Sequence, residues 1–186
     1  MNSLFRAFIS GARSLSLSLQ RTFDHSYRQL IGVPTLRYSQ ITSQLYLGGQ
    51  YSSRGFKILR DRGITAIINM RLSERKNLPD LGEVTFLHLP TSDTTAPSMT
   101  DLKKGVEFIS KELEAKGKVY VHCFYGEGRG PSMVAAYLIS TGLTVDDALK
   151  QIKEVRGFIK VTDAQLQRLS QFERSLQSPP EASANR

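Results

Sequence analysis

The 186-residue chain has one cysteine, Cys123, and no tryptophan. A lone cysteine excludes an internal disulfide and a cysteine-built metal site, so its value lies in packing or in reactivity. No apolar run approaches the roughly 18 residues that would span a bilayer. The start also lacks the compact apolar block and small-residue cleavage site of a secretory signal. The expected location is therefore intracellular and cytoplasmic, with a membrane-peripheral or mitochondrial placement as the alternative raised by the N-terminus. Acidic residues are scarce early in the chain. Residues 1–62 hold nine Lys and Arg against Asp24 and Asp61, a net of +7, whereas the remaining sixteen basic and fifteen acidic residues leave +1. A basic, acid-poor start suits attraction to an anionic membrane surface, and equally suits a solvated face kept for solubility. Nucleic acid is not an expected partner.

With 40% hydrophobic residues the chain can bury one sizeable core. Three regions follow: a basic amphipathic extension over 1–36, a compact domain over 37–177, and a disordered tail over 178–186, where the sequence is polar with a double proline. In the extension, Leu4, Phe5, Phe8, Ala12, Leu15 and Leu19 recur at helical spacing, with Arg6 and Arg13 among small polar residues. Such a helix fits a targeting segment, a lipid-surface helix, or a helix packed on the back of the domain.

The body alternates between strand and helix patterns. Residues 38–47 read as an edge strand or hairpin ending at Gly48 and Gly49, and residues 53–62 as a short helix. Residues 64–70 (ITAIINM) form a nearly continuous apolar run that fits a strand buried on both faces, and residues 84–89 and 118–122 are further strands. Ser98 with Asp101, Thr144 with Asp147, and Thr162 with Gln165 are capping-box-like starts for three helices, and another runs from about Gly130 to Ser140. The implied fold class is α/β, with a central, mostly parallel sheet flanked by helices.

The segment between the last strand and its helix carries the chemistry: His122, Cys123, Phe124, Tyr125, Gly126, Glu127, Gly128, Arg129, Gly130, Pro131, Ser132. Gly126, Gly128 and Gly130 permit a backbone that turns successive N–H groups inward as a nest for a dianion. The following helix points its positive end into the same space. Arg129 can grip two phosphate oxygens with its planar fork. A thiol in such surroundings is expected to serve as a thiolate nucleophile near neutral pH.

The string HCFYGEGRGPS resembles the His-Cys-five-residues-Arg signature of the protein tyrosine and dual-specificity phosphatases, and the resemblance runs from about residue 38 to residue 176. The small size points to the atypical dual-specificity branch. The stretch from Asp93 through DLKKGVEFI, with MVAAYLI after the loop, is similar to mitochondrial phosphatases that act on phosphatidylglycerophosphate. The resemblance implies a phosphatase fold and a metal-independent, cofactor-free hydrolysis through a phosphocysteine. Cys123 would be the nucleophile, Arg129 the phosphate clamp, and Asp93 in TSDTTAPS the general acid, with Asp101 as its rival. Residues 124–129 (Phe124, Tyr125, Gly126, Glu127, Gly128, Arg129) would bind the phosphate, with His122 and Ser132 in support.

The expected substrate is phosphotyrosine, with phosphoserine and phosphothreonine, in proteins. The alternatives are a phospholipid monoester, with N-terminal membrane contact, and a non-catalytic phosphate-binding module. Two positions depart from the family pattern. Gly130 stands where many members place Ser or Thr, with Ser132 as a substitute hydroxyl, and Glu127 brings a carboxylate into an anion-binding loop. Glu127 is expected to face outward and to disfavour highly phosphorylated inositol lipids. Arg71, Arg75 and Lys76 could meet acidic flanks of a substrate, and Tyr125 could line the pocket mouth.

The single cysteine generates a redox prediction, because an oxidised Cys123 has no resolving partner in the chain. Activity lost to peroxide is expected to return with added dithiothreitol and to stay lost in buffer alone, as followed by phosphate release.

Overall fold

The computed structural model describes residues 3–73 and 84–177, with side chains from residue 14 onward. The expected tail and the candidates Arg75 and Lys76 lie outside the described residues. Four strands, β1 (Leu45–Gly48), β2 (Ala66–Asn69), β3 (Thr85–His88) and β4 (Val119–His122), form one sheet in the order β1-β4-β2-β3. All three pairings are parallel, so the sheet is wholly rather than mostly parallel. Six helices accompany it: α1 (Ser3–Ile31), α2 (Ser53–Asp61), α3 (Met99–Glu114), α4 (Arg129–Ser140), α5 (Val145–Val155) and α6 (Asp163–Gln177).

Alternation along the strands separates two cores. Leu45, Leu47, Ala66, Ile68, Val119 and Val121 face a large core shared with α3, α4, α5 and α6. Tyr46, Ile67 and Tyr120 face a smaller one with Phe56 and Leu59 of α2. Both faces of β1 and β4 are therefore buried, which explains their unbroken apolar sequences. Strand β1 is shorter than residues 38–47 promised. Residues Leu36–Tyr38 form a 3-10 turn, and the chain then doubles back through one antiparallel bridge, Gln40 to Tyr46, where Thr42 Oγ1 accepts from the N–H of Gln44 and of Leu45.

Gly48, His122, Asn69 and His88 stand in register at the carboxyl edge of the sheet, so the loops that follow all four strands leave from one side. The helix starts behave as the sequence indicates. Ser98 and Thr144 accept from the backbone N–H three residues on, of Asp101 and Asp147, and Thr162 exchanges such bonds with Gln165.

Over its described side chains, helix α1 is inside out. Leu15, Leu19, Phe23 and Leu30 share one side of it and are 64%, 62%, 56% and 76% exposed. The opposite side, with Arg21, Asp24, His25 and Arg28, packs on the loop that leaves β4 rather than on the back of the domain. Contacts thus cross the boundary expected at residue 36. Asp24 and Arg156, both fully buried, pair at 3.0 Å between Nη2 and Oδ2, and Asp24 Oδ1 also accepts from the Thr35 N–H. Removing one partner of a buried ion pair strands the other. Asp24→Ala is expected to lower the unfolding free energy by about 3 kcal/mol in urea, whereas Leu19→Ala on the exposed side of the same helix should change it by less than about 0.5 kcal/mol.

Candidate active site

The loop from Cys123 to Gly128 is shaped by where its carbonyls go. The Phe124 carbonyl accepts from the Gln50 N–H at 3.1 Å and from Arg28 Nη1 at 3.0 Å. The Tyr125 and Gly126 carbonyls accept from Arg156 Nη2 and Nε, each at 2.8 Å, and the Glu127 carbonyl from the Lys160 N–H at 2.6 Å. In a trans peptide the N–H points opposite to the C=O. Four consecutive carbonyls bonded outward therefore turn the N–H groups of Tyr125, Gly126, Glu127 and Gly128 toward the inside of the loop. One of them, from Gly126, already donates to Cys123 Sγ at 3.2 Å. These amides, with the N-terminus of α4 behind them, make an anion nest around a cysteine that is 3% exposed.

The three glycines have different reasons. Gly126 has a φ of +71°, and a Cβ there would also meet the Gly48 carbonyl. Gly128 has a φ of −126°, so its role is to leave room for the Gln165 amide, which a Cβ would approach at 3.1 Å. A Cβ on Gly130 would lie 3.8 Å from Cys123 Sγ but 2.9 Å from Leu47 Cδ1. The position after the arginine thus faces the sulfur, and a core side chain occupies the space a hydroxyl-bearing residue would need. Ser132 does not substitute for it, because its Oγ donates to the Gly128 carbonyl within the first turn of α4.

Arg129 is 6% exposed and reaches across to the loop after β3. Its Nη1 donates to the Thr91 carbonyl at 3.0 Å, its Nη2 pairs with Asp93 Oδ1 at 2.9 Å, and its Nε is buried with no hydrogen-bond partner among the described residues. Asp93, with a 74% exposed side chain, lines with Cys123 and Arg129 a cavity of about 230 Å³. Its loop is fixed from α6 and the turn before it. Thr162 Oγ1 donates to the Thr94 carbonyl, Gln165 Nε2 to that of Thr95, and Arg168 Nη1 to that of Pro97. These bonds hold Thr94 at a φ of +64°, a left-handed conformation that a β-branched residue rarely takes. Asp101 is committed elsewhere, accepting from Ser98 Oγ at the start of α3.

His122 lies beneath the loop, with Nδ1 3.2 Å from the Cys123 carbonyl oxygen and its ring stacked on Tyr120. Burial pushes the Tyr120 phenol up, which keeps it protonated as the donor to the Gly49 carbonyl at 2.6 Å. Tyr125 forms a wall of the cavity as expected of a mouth residue. The Phe124 side chain lies outside it, in a neighbouring groove, with Arg28 and Arg71 over its ring. Glu127 does not face solvent. Its side chain is 12% exposed, and Oε1 accepts from Arg21 Nε at 2.8 Å.

Sequence reasoning passed over Arg156, Asp24, Arg21, Lys160 and Gln165. Arg156 had one visible sign, a cation set between Val155 and the apolar pair Phe158 and Ile159. Gln165 was visible only as a helix-start residue, and the others had no sign, since their partners lie far away in the chain.

His25 adds a pH dependence. Burial lowers its pKa more than neighbouring Glu127 raises it, and Arg21 and Arg28 lower it further, with Asp24 opposing. A histidine depressed on folding binds fewer protons folded than unfolded, so its contribution to stability is intact above about 6.5 and is lost as pH falls. Urea denaturation is expected to show stability falling below about pH 6.5, with a shallower fall in His25→Phe.

Residues 45–175 match the family described as dual specificity phosphatase, catalytic domain. The chain is 32% identical over 147 residues to mouse dual specificity protein phosphatase 8, covering 77% of this chain and 22% of that one. It is 29% identical over 163 residues to rat phosphatidylglycerophosphatase and protein-tyrosine phosphatase 1, covering 81% and 84%. The chain spans only 22% to 38% of the length of the first relatives it matches, the dual specificity phosphatases 8 and 1. Among solved structures, PTPMT1 aligns with a TM-score of 0.66 at 29% identity, over 75% of this chain and 96% of that one. The nest of amides around Cys123, the arginine six residues on, and the match over most of the chain agree: the chain belongs to the dual specificity phosphatase family.

Proposed function

We propose that this chain hydrolyses phosphomonoesters through a phosphocysteine on Cys123, acting on phosphotyrosine and on phosphoserine or phosphothreonine in proteins. The observation that carries the reading is the convergence of Cys123, Arg129 and Asp93 on one cavity. The Cys123 thiolate attacks phosphorus, the bond to the leaving oxygen breaks, and Asp93 gives that oxygen its proton. Water then attacks phosphorus, loses a proton to Asp93, and the S–P bond breaks to return the thiolate.

The ion pair between Arg129 and Asp93 suggests how the acid is prepared. The Nε and Nη2 groups of arginine form one edge of its fork; here Nε has no hydrogen-bond partner among the described residues and Nη2 holds Asp93. A phosphate that accepts from both displaces Asp93 from Nη2 and frees its carboxyl for the leaving group. Charge on the incoming substrate thereby releases the proton donor.

A second reading, a phospholipid monoester, is favoured by the outward stripe of α1 and by the basic N-terminal third, which together suit peripheral contact with an anionic membrane. It is also in line with the relative named a phosphatidylglycerophosphatase and with the related PTPMT1 structure in complex with PI(5)P.

Cys123→Ser is expected to abolish phosphate release, and Asp93→Asn to lower kcat about a hundredfold; activity surviving the first change would end the proposal. Phosphopeptides and phosphatidylglycerophosphate vesicles compared side by side decide the substrate class. In the lipid reading, Leu19→Gln with Phe23→Gln removes turnover of vesicles and spares soluble substrates. Deleting residues 1–36 is a poorer test, because it also takes Arg28 and Asp24 from the loop.

A further inference from the structure

Helix α1 lies outside residues 45–175, the segment that matches the family, yet its inward face is part of the site. We propose that Arg21 is a positioning residue for phosphate binding: from this helix it neutralises Glu127, the carboxylate that the chain carries inside its own anion-binding loop. The inference rests on reading the cavity as a phosphate site.

Glu127 is the fourth of the five residues between Cys123 and Arg129, in the run whose amides face inward, and it lines the cavity with both. A carboxylate there repels a dianion, and the repulsion is felt more strongly in a part-buried site than in water. It could escape by turning to solvent or by pairing with a cation. Helix α1 covers it, leaving the side chain 12% exposed, so pairing is what remains.

Two groups on α1 reach Glu127 Oε1. Arg21 Nε donates to it at 2.8 Å. His25 Nε2 lies 3.1 Å away but makes no hydrogen bond among the described residues, and burial lowers its pKa, which disfavours the charged ring. The compensating charge therefore comes from Arg21. Its position is set by the same helix face, because Asp24 pairs with Arg156 and Arg28 bonds the Phe124 carbonyl, three and seven residues further along. Docking of α1 and the charge inside the loop are thus one event, linking residues 106 apart in sequence.

The test uses the full chain and a soluble aryl phosphate, which keeps any membrane contact out of the readout. Arg21→Ala is expected to raise KM about tenfold, equivalent to about 1.4 kcal/mol, with kcat within about twofold, the signature of lost ground-state binding. Arg21→Gln keeps a donor of similar reach without the charge, so it should raise KM as well, while Arg21→Lys should restore most of it. Glu127→Gln placed in the Arg21→Ala background should bring KM back to within about twofold of Glu127→Gln alone. An Arg21→Gln protein with unchanged KM overturns the proposal, since a purely structural contact would survive that change. So does failure of Glu127→Gln to rescue, which would mean that Arg21 meets the substrate itself or only holds the fold. Cys123→Ser run in parallel separates the two levels. Turnover that persists there refutes the catalytic reading, whereas its loss with a normal Arg21→Gln refutes this inference alone.

Discussion

The site depends on one buried arginine. Arg156 is fully buried, yet its guanidinium donates to three carbonyls, those of Tyr125, Gly126 and Tyr38, and forms an ion pair with the carboxylate of Asp24. Its plane also lies 4.4 Å from the centre of the Phe158 ring. Burying a cation costs several kcal/mol unless its donors are met, and here two of the bonds that meet them also fix loop peptides. Arg129, the proposed phosphate clamp, faces a loop of which Arg156 turns two of the four amides, with Gln50, Arg28 and Lys160 turning the rest. One cation shapes the nest from behind and the other closes it from the front.

The same logic explains why α1 is turned around. Usually a surface helix hides its apolar side and shows its charges. In α1 the charges from residue 21 on serve the loop, where Asp24 balances Arg156, Arg28 caps a carbonyl and Arg21 answers Glu127. The apolar side is what is left outside. A helix that reads as an appendage in sequence braces the loop of the site from Arg21 to Arg28.

Much of the architecture was legible in sequence because it is written in local patterns. Apolar runs such as residues 66–69 need only the pleat to declare a buried strand, and Ser98, Thr144 and Thr162 mark helix starts three residues from their partners. The loop was legible because Cys123, its glycines and Arg129 are contiguous. What escaped was every contact that spans the chain. Nothing near Asp24 announces Arg156, and nothing near Glu127 announces Arg21, so the carboxylate read as an outward-facing group. Asp93 fell between these cases: its place after β3 was foreseeable, while the left-handed Thr94 and the three bonds from Thr162, Gln165 and Arg168 were not.

Leu47, buried on β1, reaches to within 2.9 Å of where a Cβ on Gly130 would sit. The sulfur's neighbour in the loop and a core residue of the edge strand therefore share one volume. A lineage that acquired a hydroxyl at position 130 would first have to accept a smaller or differently placed side chain at position 47, and the reverse order would open a void beside the nucleophile. Because the two positions share that volume, what the loop can carry beside its sulfur depends on how far the Leu47 side chain on the edge strand can give way.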